Sequence, residues 1–300
     1  MNLCDRLRNP LGIGIDTPLR PCNMHTVDSH GAQIPALGFG TYGMSEADLH
    51  RMIPAALGAG FRHIDTAQVY GNEAGVGEGW VASGLARSEV FITTKVWVAN
   101  YRPERFESSV DESLRRLRSD YIDLLLLHWP NQEVPLVDQI ERLNALVEQG
   151  KVRHIGVSNY NTAMLRAAKR LSHHPLATHQ FEYHPFLSQR TVIDTTRALG
   201  MAATAYCPMA VGRVLKEPVL IDIARHHQRS VAQIVLRWVI QQPGMIALSR
   251  TVNPARLAEN VAVFDFELEC HEMARIRALA RPHSRIVSPA GLAPDWDPTD

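Results

Sequence analysis

A pattern that repeats eight times along the chain is the strongest constraint on its fold. Short runs rich in leucine and β-branched residues alternate with longer segments in which apolar residues recur every three or four positions. This alternation is typical of parallel strands joined by crossover helices, because a parallel neighbour is reached only through a long connection. The predicted strands are 37–41, 63–66, 90–95, 122–128, 154–158, 177–181, 202–206 and 245–248.

Start and stop signals bound several of the intervening helices. Ser45 has the capping-box spacing to an acidic residue, and Ser230 precedes another segment of helical period. Pro103 stands where the first turn of a helix tolerates proline. Gly150 and Gly200 follow two such segments, where glycine commonly ends a helix. The sequence therefore predicts helices between the strands.

Two α/β architectures have this alternation. The eight units average about 28 residues, which is the size expected of a single (β/α)8 TIM barrel. A doubly wound open sheet would require a G-x-G-x-x-G turn after its first strand, and the glycine-rich segment 75–79 has a different spacing. We therefore predict one closed barrel over residues 24–281, with a β-hairpin at 25–35 that covers its N-terminal end.

The two ends of the chain are predicted to lie outside the barrel. Residues 1–23 carry several prolines and are expected to form an irregular N-terminal extension. Residues 282–300, which are also rich in proline, are expected to form an irregular C-terminal tail near the substrate mouth.

Composition excludes several classes of partner. The 31 basic and 31 acidic side chains balance, so no basic surface is expected to attract nucleic acid or an anionic membrane. The richest apolar run, 122–127, is far shorter than the roughly 18 residues that span a bilayer. The four cysteines form no C-x-x-C pair, and the N-terminus lacks a signal-peptide pattern. We expect a cytoplasmic protein, a monomer, whose partner is a small molecule.

Polar side chains stand at the ends of three consecutive predicted strands. Active sites of such barrels lie at the C-terminal strand ends, so we expect these side chains to share one mouth. They are Asp65 after the second strand, Tyr70 in the following loop, Lys95 after the third strand and His128 after the fourth.

Each of the four also has a purely structural interpretation. Lys95 and Asp65 could form a buried ion pair, and such pairs are often no more stabilising than apolar side chains. His128 alone is typical of a hydrogen-bonded core histidine, and Tyr70 alone is unremarkable. Separate structural needs would seldom bring all four residue types to neighbouring strand ends, so the set favours chemistry.

Together the four side chains have the composition of a proton-delivery group. A phenol is a weak acid at neutral pH, and the ammonium of Lys95 is expected to lower the pKa of Tyr70. Asp65 would keep that ammonium protonated and oriented, while His128 would donate a hydrogen bond to a substrate carbonyl. A carbonyl that receives a proton at oxygen must receive a hydride at carbon, and these residues supply none.

Four motifs add a family resemblance. They are F-R-H-I-D-T-A-Q-V-Y-G-N-E at 61–73, T-K-V-W at 94–97, L-H-W-P at 127–130 and I-G-V-S-N-Y at 155–160. In these motifs the chain resembles the aldo-keto reductases, over about residues 24–280. The resemblance implies an enzyme that binds NAD(P)H extended across the barrel mouth without a Rossmann fold. It also implies that Tyr70 is the general acid, supported by Asp65, Lys95 and His128.

The same resemblance assigns cofactor residues. Ser158, Asn159 and Gln180 resemble the polar residues that hold the nicotinamide carboxamide, and Tyr206 resembles the ring on which the nicotinamide stacks. The adenosine half is assigned to residues after the last strand, namely Arg250, Thr251, Arg256, Glu259 and Asn260. The family's common I-P-K-S is replaced here by A-L-S-R-T at 247–251, which keeps a cation and a hydroxyl.

The residues after the last strand also predict an anion-binding site, independently of the resemblance. Asn253 followed by Pro254 predicts a helix start, whose free N–H groups attract anions. Arg250 and Arg256 flank this start, and guanidinium groups favour the 2′-phosphate of NADPH over the hydroxyl of NADH. We therefore expect NADPH (NADP+) as the cofactor. The alternative is that these arginines are simply solvated on a helix.

Aromatic residues near the mouth predict the substrate pocket. Trp97 and Trp129, with Trp296 of the tail, would provide apolar walls above a polar floor. The text C-P-M-A at 207–210 and the short loop after it are similar to bacterial 2,5-diketo-D-gluconate reductases. The expected substrates are small aldehydes, ketones, α-dicarbonyl compounds and keto-sugar acids.

Two other functions remain open for the same barrel. One is a cofactor-sensing accessory subunit similar to potassium-channel β subunits, although such a protein has no need of a proton donor. The other is a phosphate-binding isomerase or aldolase that uses Lys95 as a base or as a Schiff-base amine. No metal is expected, because the fourteen histidines form no set with the spacing of metal ligands.

Overall fold

Eight parallel strands close into a barrel in the computed structural model, which describes residues 25–298. The strands neighbour one another in the order β10-β3-β4-β5-β6-β7-β8-β9. They are β3 (Leu37–Gly40), β4 (His63–Asp65), β5 (Phe91–Val96), β6 (Ile122–Leu127), β7 (Val152–Ser158), β8 (Leu176–Glu182), β9 (Ala202–Tyr206) and β10 (Met245–Ser249). The predicted (β/α)8 barrel is confirmed, and every predicted strand is present.

Helices surround the barrel. They are α1 (Glu46–Gly58), α2 (Glu73–Ala82), α3 (Pro103–Arg116), α4 (Leu136–Glu148), α5 (Thr162–Leu171), α6 (Arg190–Ala198), α7 (Pro218–His226), α8 (Val231–Ile240), α9 (Ala255–Val261) and α10 (Cys270–Arg277). The predicted caps are present, since the Ser45 and Ser230 side chains accept hydrogen bonds from the first turns of α1 and α8. Pro103 is the first residue of α3.

The predicted N-terminal hairpin is confirmed. Strands β1 (Thr26–Ser29) and β2 (Ala32–Pro35) are antiparallel, and the two residues between them, His30 and Gly31, both have positive φ. This backbone geometry is typical of a tight hairpin turn. The buried Ser29 hydroxyl donates to Ala177 O, 2.7 Å away, at the second residue of β8. The hairpin therefore covers the N-terminal end of the barrel, opposite to the predicted mouth.

The glycine-rich segment 75–79 lies within α2, a helix that the sequence patterns did not predict. A Cβ on Gly77 would stand 2.2 Å from the Arg116 carbonyl oxygen, and one on Gly79 would stand 2.6 Å from Ile53. These glycines allow α2 to approach α1 and α3 more closely than side chains would permit. Their role is helix packing, which agrees with the conclusion that they form no dinucleotide turn.

The chain ends are described only in part. The predicted N-terminal extension, residues 1–23, lies outside the described residues, and so do the last two residues of the predicted tail. Residues 282–298 contain no helix or strand and lie against the barrel. The division of the chain at residues 24 and 281 stays a prediction. No helix within residues 25–298 is both long enough and apolar enough to cross a membrane.

Candidate active site

Four side chains named from the sequence meet at the carboxyl ends of β4, β5 and β6. Asp65 is the last residue of β4, Lys95 lies one residue before the end of β5, and His128 directly follows β6. Tyr70 ends a short 3-10 turn that follows β4. We call these four residues the strand-end cluster.

A buried ion pair forms the floor of the cluster. Lys95 Nζ lies 2.5 Å from Asp65 Oδ1 and donates a second hydrogen bond to Thr66 O, at 2.8 Å. The lysine is fully buried and the aspartate is 3% exposed. Burial alone would lower the pKa of Lys95, but the charges of Asp65 and Tyr70 outweigh it, so the pKa is raised. Lys95 is therefore held as an ammonium.

Tyr70 and His128 lie above this ion pair. Lys95 Nζ is 5.3 Å from the centre of the half-buried Tyr70 ring, and the Tyr70 and His128 rings meet edge to face with centres 5.7 Å apart. Trp97 contacts the other side of the imidazole, with ring centres 5.5 Å apart. His128 Nδ1 is buried and has no hydrogen-bond partner among residues 25–298.

The ionisation of the cluster differs in one respect from the sequence-based expectation. Burial raises the pKa of Tyr70 above its ordinary value, and the opposing effect of the Lys95 charge is smaller. The prediction of a lowered Tyr70 pKa was therefore wrong in its net direction, although Lys95 acts in the expected sense. Burial and the Lys95 charge together hold the pKa of His128 well below its ordinary value, so the imidazole is neutral at pH 7.

A second polar group lies at the ends of β7, β8 and β9. Asn159, in the left-handed region with φ of +63°, donates from Nδ2 to His128 O at 3.0 Å and accepts from Tyr206 Oη at 2.7 Å. The Ser158 hydroxyl donates to Gln180 O at 3.0 Å. The predicted nicotinamide-binding residues are thus one connected group, joined to the strand-end cluster through the backbone of His128.

Gln180 has a contact that sequence patterns did not indicate. Its Nε2 donates to Asp65 Oδ2 at 2.8 Å. Asp65 therefore receives Lys95 on one oxygen and Gln180 on the other. No local motif signals this bond, because the two residues are 115 positions apart in the sequence.

The predicted adenosine-binding residues cluster in sequence after β10 and at α9. Thr251 and Asn260 are buried, Glu259 is half-buried, and Arg250 and Arg256 are exposed. The Arg250 guanidinium donates to Gly43 O at 3.0 Å. The helix predicted to start near Pro254 is α9, whose first residue is Ala255. The two exposed cations therefore belong to one short stretch of chain at the end of the last strand.

The tryptophans predicted to line the substrate pocket lie beside His128. Trp129 is 5% exposed and follows His128 directly, while Trp97 is half-buried. The ring of Trp296, in the tail, packs edge to face on Trp129 with centres 6.3 Å apart. The tail therefore contacts one of the predicted pocket residues, and its place beside the substrate stays a prediction.

Within the described part of the chain, three groups of histidine and glutamate side chains lie apart from the strand-end cluster. Within each group the ligand atoms are at most 4.8 Å from one another, close enough to share a cation. Each group combines separate elements, which is why spacing in the sequence did not reveal it. The groups are Glu148 with His173 and His174, His226 with His227 and Glu272, and Glu46 with His50 and Glu78. The absence of a metal from the reaction stays a prediction.

Comparison with known proteins agrees with the motifs and the fold. The model of the Aldo/keto reductase family matches residues 36–281. The chain is 39% identical over 267 residues to methylglyoxal reductase DkgB of Yersinia pestis, covering 88% of this chain and 99% of that protein.

Solved structures agree as well. A crystal structure provisionally named as 2,5-diketo-D-gluconic acid reductase B is 56% identical, with a TM-score of 0.91, covering 92% of this chain and 98% of that one. A Bombyx mori aldo-keto reductase in complex with NADP is 29% identical, with a TM-score of 0.79, covering 90% and 95%. This chain belongs to the aldo/keto reductase family and is an oxidoreductase.

Proposed function

We propose that this protein reduces the carbonyl group of small aldehydes, ketones or keto-sugar acids, with NADPH as the hydride source and Tyr70 as the proton donor. The observation that carries the proposal is the strand-end cluster, in which a phenol lies directly above a buried ammonium–carboxylate pair. A relative named for methylglyoxal and a structure named for a diketo-sugar acid support this substrate class.

Each residue of the strand-end cluster has a separate role in proton transfer. The Tyr70 hydroxyl donates its proton to the carbonyl oxygen as the carbonyl carbon becomes tetrahedral, and the nearby Lys95 ammonium stabilises the phenolate that forms. Asp65 keeps that ammonium charged and in place. Neutral His128 donates a hydrogen bond to the same carbonyl oxygen and holds it toward Tyr70.

Several features fit a bound nicotinamide dinucleotide. The half-buried Tyr206 at the end of β9 offers a ring face to the nicotinamide, and Asn159 and Ser158 offer polar groups to its carboxamide. Ser249 Oγ, at the end of β10, is buried and has no hydrogen-bond partner within the described part of the chain. A buried hydroxyl without a partner is costly, so a cofactor group at this position would stabilise it.

Arg250 and Arg256 support NADPH rather than NADH. Both are exposed, and neither forms an ion pair of 4.0 Å or less with a carboxylate among the described residues. Two guanidinium groups in one short segment can donate several charge-assisted hydrogen bonds to a 2′-phosphate, which a ribose hydroxyl cannot match.

The state of Lys95 disfavours an aldolase-like alternative. A Schiff base requires a free amine, whereas the Lys95 pKa is raised and its Nζ is held by Asp65 and Thr66. Borohydride trapping in the presence of a carbonyl compound should therefore leave Lys95 unmodified, as peptide mapping would show.

The direct test is oxidation of NADPH in the presence of methylglyoxal, 2,5-diketo-D-gluconate and simple aldehydes, followed at the absorbance band of the reduced nicotinamide. We expect turnover with at least one carbonyl compound and a higher kcat/KM with NADPH than with NADH. Nucleotide binding without any turnover would instead favour the accessory-subunit alternative. Light scattering tests the proposed monomer.

A further inference from the structure

The C-terminal tail is fixed at the barrel mouth by two carboxylates. Glu182, the fully buried last residue of β8, accepts hydrogen bonds from the backbone N–H groups of Ile286 and Val287, at 2.8 and 2.7 Å. Asp297 accepts from the backbone N–H and the hydroxyl of Thr162, at 2.8 and 2.6 Å. Residues 285–297 are therefore held in one position between the end of β8 and the start of α5.

Arg285 lies next to the first of these anchors. The carbon at the centre of its guanidinium is 3.7 Å from the centre of the Trp296 ring, and Trp296 packs on Trp129. Stacking of this kind fixes the plane of a guanidinium and leaves its N–H groups at the edge available. The arginine and the two tryptophans thus form one continuous wall of the mouth.

Strand pairing places Arg285 on the proposed cofactor side of that mouth. Its chain neighbour Ile286 donates to Glu182 at the end of β8, and Glu182 is paired in register with Tyr206 of β9. Tyr206 is the ring proposed to carry the nicotinamide, so Arg285 enters the mouth beside the proposed nicotinamide site. Burial lowers the pKa of Arg285, and the nearby acidic groups only partly oppose this effect. An arginine remains charged under such conditions.

No side chain among residues 25–298 pairs directly with the positive charge of Arg285. Its Nη1 is buried without a hydrogen-bond partner, and no carboxylate oxygen of residues 25–298 lies within 4.0 Å of the guanidinium. Glu182 is nearby, but its oxygens already accept from the tail backbone and from His184 Nε2 at 2.9 Å. A buried cationic donor without a partner is costly, and a ligand anion would relieve that cost.

We propose that Arg285 binds a carboxylate carried by the carbonyl substrate, so that this enzyme prefers oxo acids to neutral carbonyl compounds. The planar guanidinium matches a carboxylate with two parallel hydrogen bonds, and the tail anchors hold it in place beside the mouth. This inference rests on the proposed carbonyl reduction and adds the recognition of the remote end of the substrate.

The test compares 4-oxobutanoate with its methyl ester, which have the same aldehyde and differ in charge at the other end. The wild type should have a higher kcat/KM for the acid, and Arg285→Met should reduce the acid-to-ester ratio about 10- to 100-fold. Arg285→Lys should keep part of the preference, because the charge remains while the bidentate geometry is lost. The ratio of the two kcat/KM values does not depend on how much of the variant is folded, because both values scale with the same concentration of active protein.

Arg281→Met is the matched control. Arg281 lies four residues earlier, is exposed and contacts Glu217 at 3.4 Å. The same chemical change there should leave the acid-to-ester ratio within about threefold, because the Arg281 guanidinium already has the Glu217 carboxylate as its partner. A wild type without acid preference, or an Arg285→Met protein that keeps it, would overturn the proposal.

Binding of succinate separates this proposal from the proposed activity. Succinate has no aldehyde, and its binding to the protein with NADPH present can be followed by tryptophan fluorescence, since Trp296 stacks on Arg285. We expect its Kd to rise at least about 10-fold in Arg285→Met. An equal Kd in both proteins contradicts the carboxylate site, whereas binding of succinate without NADPH oxidation by either aldehyde contradicts only the carbonyl reduction.

Discussion

Gln180 donates a hydrogen bond to Asp65 across the interior of the barrel, with Nε2 and Oδ2 2.8 Å apart. The strands that carry them, β8 and β4, are separated by three strands in either direction around the sheet. Lys95 binds the other oxygen of the same carboxylate. The carboxylate beneath Tyr70 is therefore oriented from two opposite sides, and the amide that orients it comes from the proposed cofactor-binding side.

Replacing Gln180 with leucine should destabilise the protein. The variant leaves Asp65 Oδ2 buried without its donor, which lowers the free energy of unfolding by about 1–3 kcal/mol. Denaturant unfolding of both proteins measures the difference. Gln149→Leu, at an exposed position after α4, is the control and should change stability by less than about 0.5 kcal/mol. Equal stability of the two variants would show that the bond to Asp65 contributes nothing.

Tyr70→Phe should abolish turnover while NADPH still binds. The change removes only the hydroxyl that donates the proton, and loss of a general acid lowers kcat by about 10²- to 10⁴-fold. Steady-state rates and a fluorescence titration with NADPH separate the two effects. Tyr42→Phe is the control, because the exposed Tyr42 ring contacts Tyr70, with centres 5.1 Å apart, and plays no part in the proposed chemistry. A kcat of Tyr70→Phe within about tenfold of the wild-type value would refute its assignment as the proton donor.

The rate of carbonyl reduction should not change with the ionisation of a histidine near pH 6.5. Burial holds the pKa of His128 well below its ordinary value of 6.5, so the imidazole is neutral at pH 7. Burial also raises the pKa of Tyr70 above 10.0, so the phenol is almost fully protonated at pH 9. We expect kcat for reduction to be level from about pH 7 to 9 and to fall only at higher pH. The rate of reduction at each pH is measured by stopped flow. A change of this rate with a midpoint near pH 6.5 would show that the neutral state assigned to His128 is wrong.

Arg256→Ala should weaken NADPH binding more than NADH binding. The two nucleotides differ only in the 2′-phosphate, and a lost charge-assisted hydrogen bond of roughly 1.5–3 kcal/mol corresponds to about 10- to 100-fold in Kd. Calorimetric titrations with each nucleotide give the two ratios. Arg225→Ala, an exposed arginine in α7, should change neither Kd. Equal losses for both nucleotides in Arg256→Ala would mean that this arginine does not read the phosphate.

Acid should destabilise the fold through His179. Burial lowers the pKa of this imidazole to about 3, and the ring accepts from Tyr160 N at 3.2 Å, which requires a neutral nitrogen. Because the unfolded chain binds the proton first, this contribution to stability is complete above pH 6.5 and declines as the pH falls toward 3. The loss at pH 5 is about 2 kcal/mol.

His179→Gln removes this titration and should therefore reduce the further loss of stability at pH 5. It should also lower stability at pH 7.5, because it disturbs the buried contacts of the ring with Tyr160 and Thr196. Denaturant unfolding at the two pH values measures both effects. His173→Gln, at an exposed position, should retain the pH dependence of the wild type. If His179→Gln also retained it, the acid sensitivity would have to be assigned to other buried groups.

Much of the barrel could be read from the sequence because its units are local. Apolar runs bounded by caps and glycines located each strand to within about two residues, and the caps at Ser45 and Ser230 were signalled by the residues beside them. Helix α2 was missed for the opposite reason. Its glycines give no one-sided apolar pattern, and their purpose appears only when α1 and α3 pack against them.

The sequence alone determined which side chains stand at the carboxyl ends of β4, β5 and β6. Asp65, Lys95 and His128 are placed at strand ends by the strands that precede them, and a parallel barrel necessarily gathers such ends on one face. What only the tertiary structure decided is the balance of energies there. Burial raises the pKa of Tyr70 more than the Lys95 charge lowers it. Gln180 donates to Asp65 from the opposite side of the barrel, and the C-terminal tail brings Arg285 to Trp296. Such effects depend on distances through space between residues far apart in the chain, which no local pattern encodes.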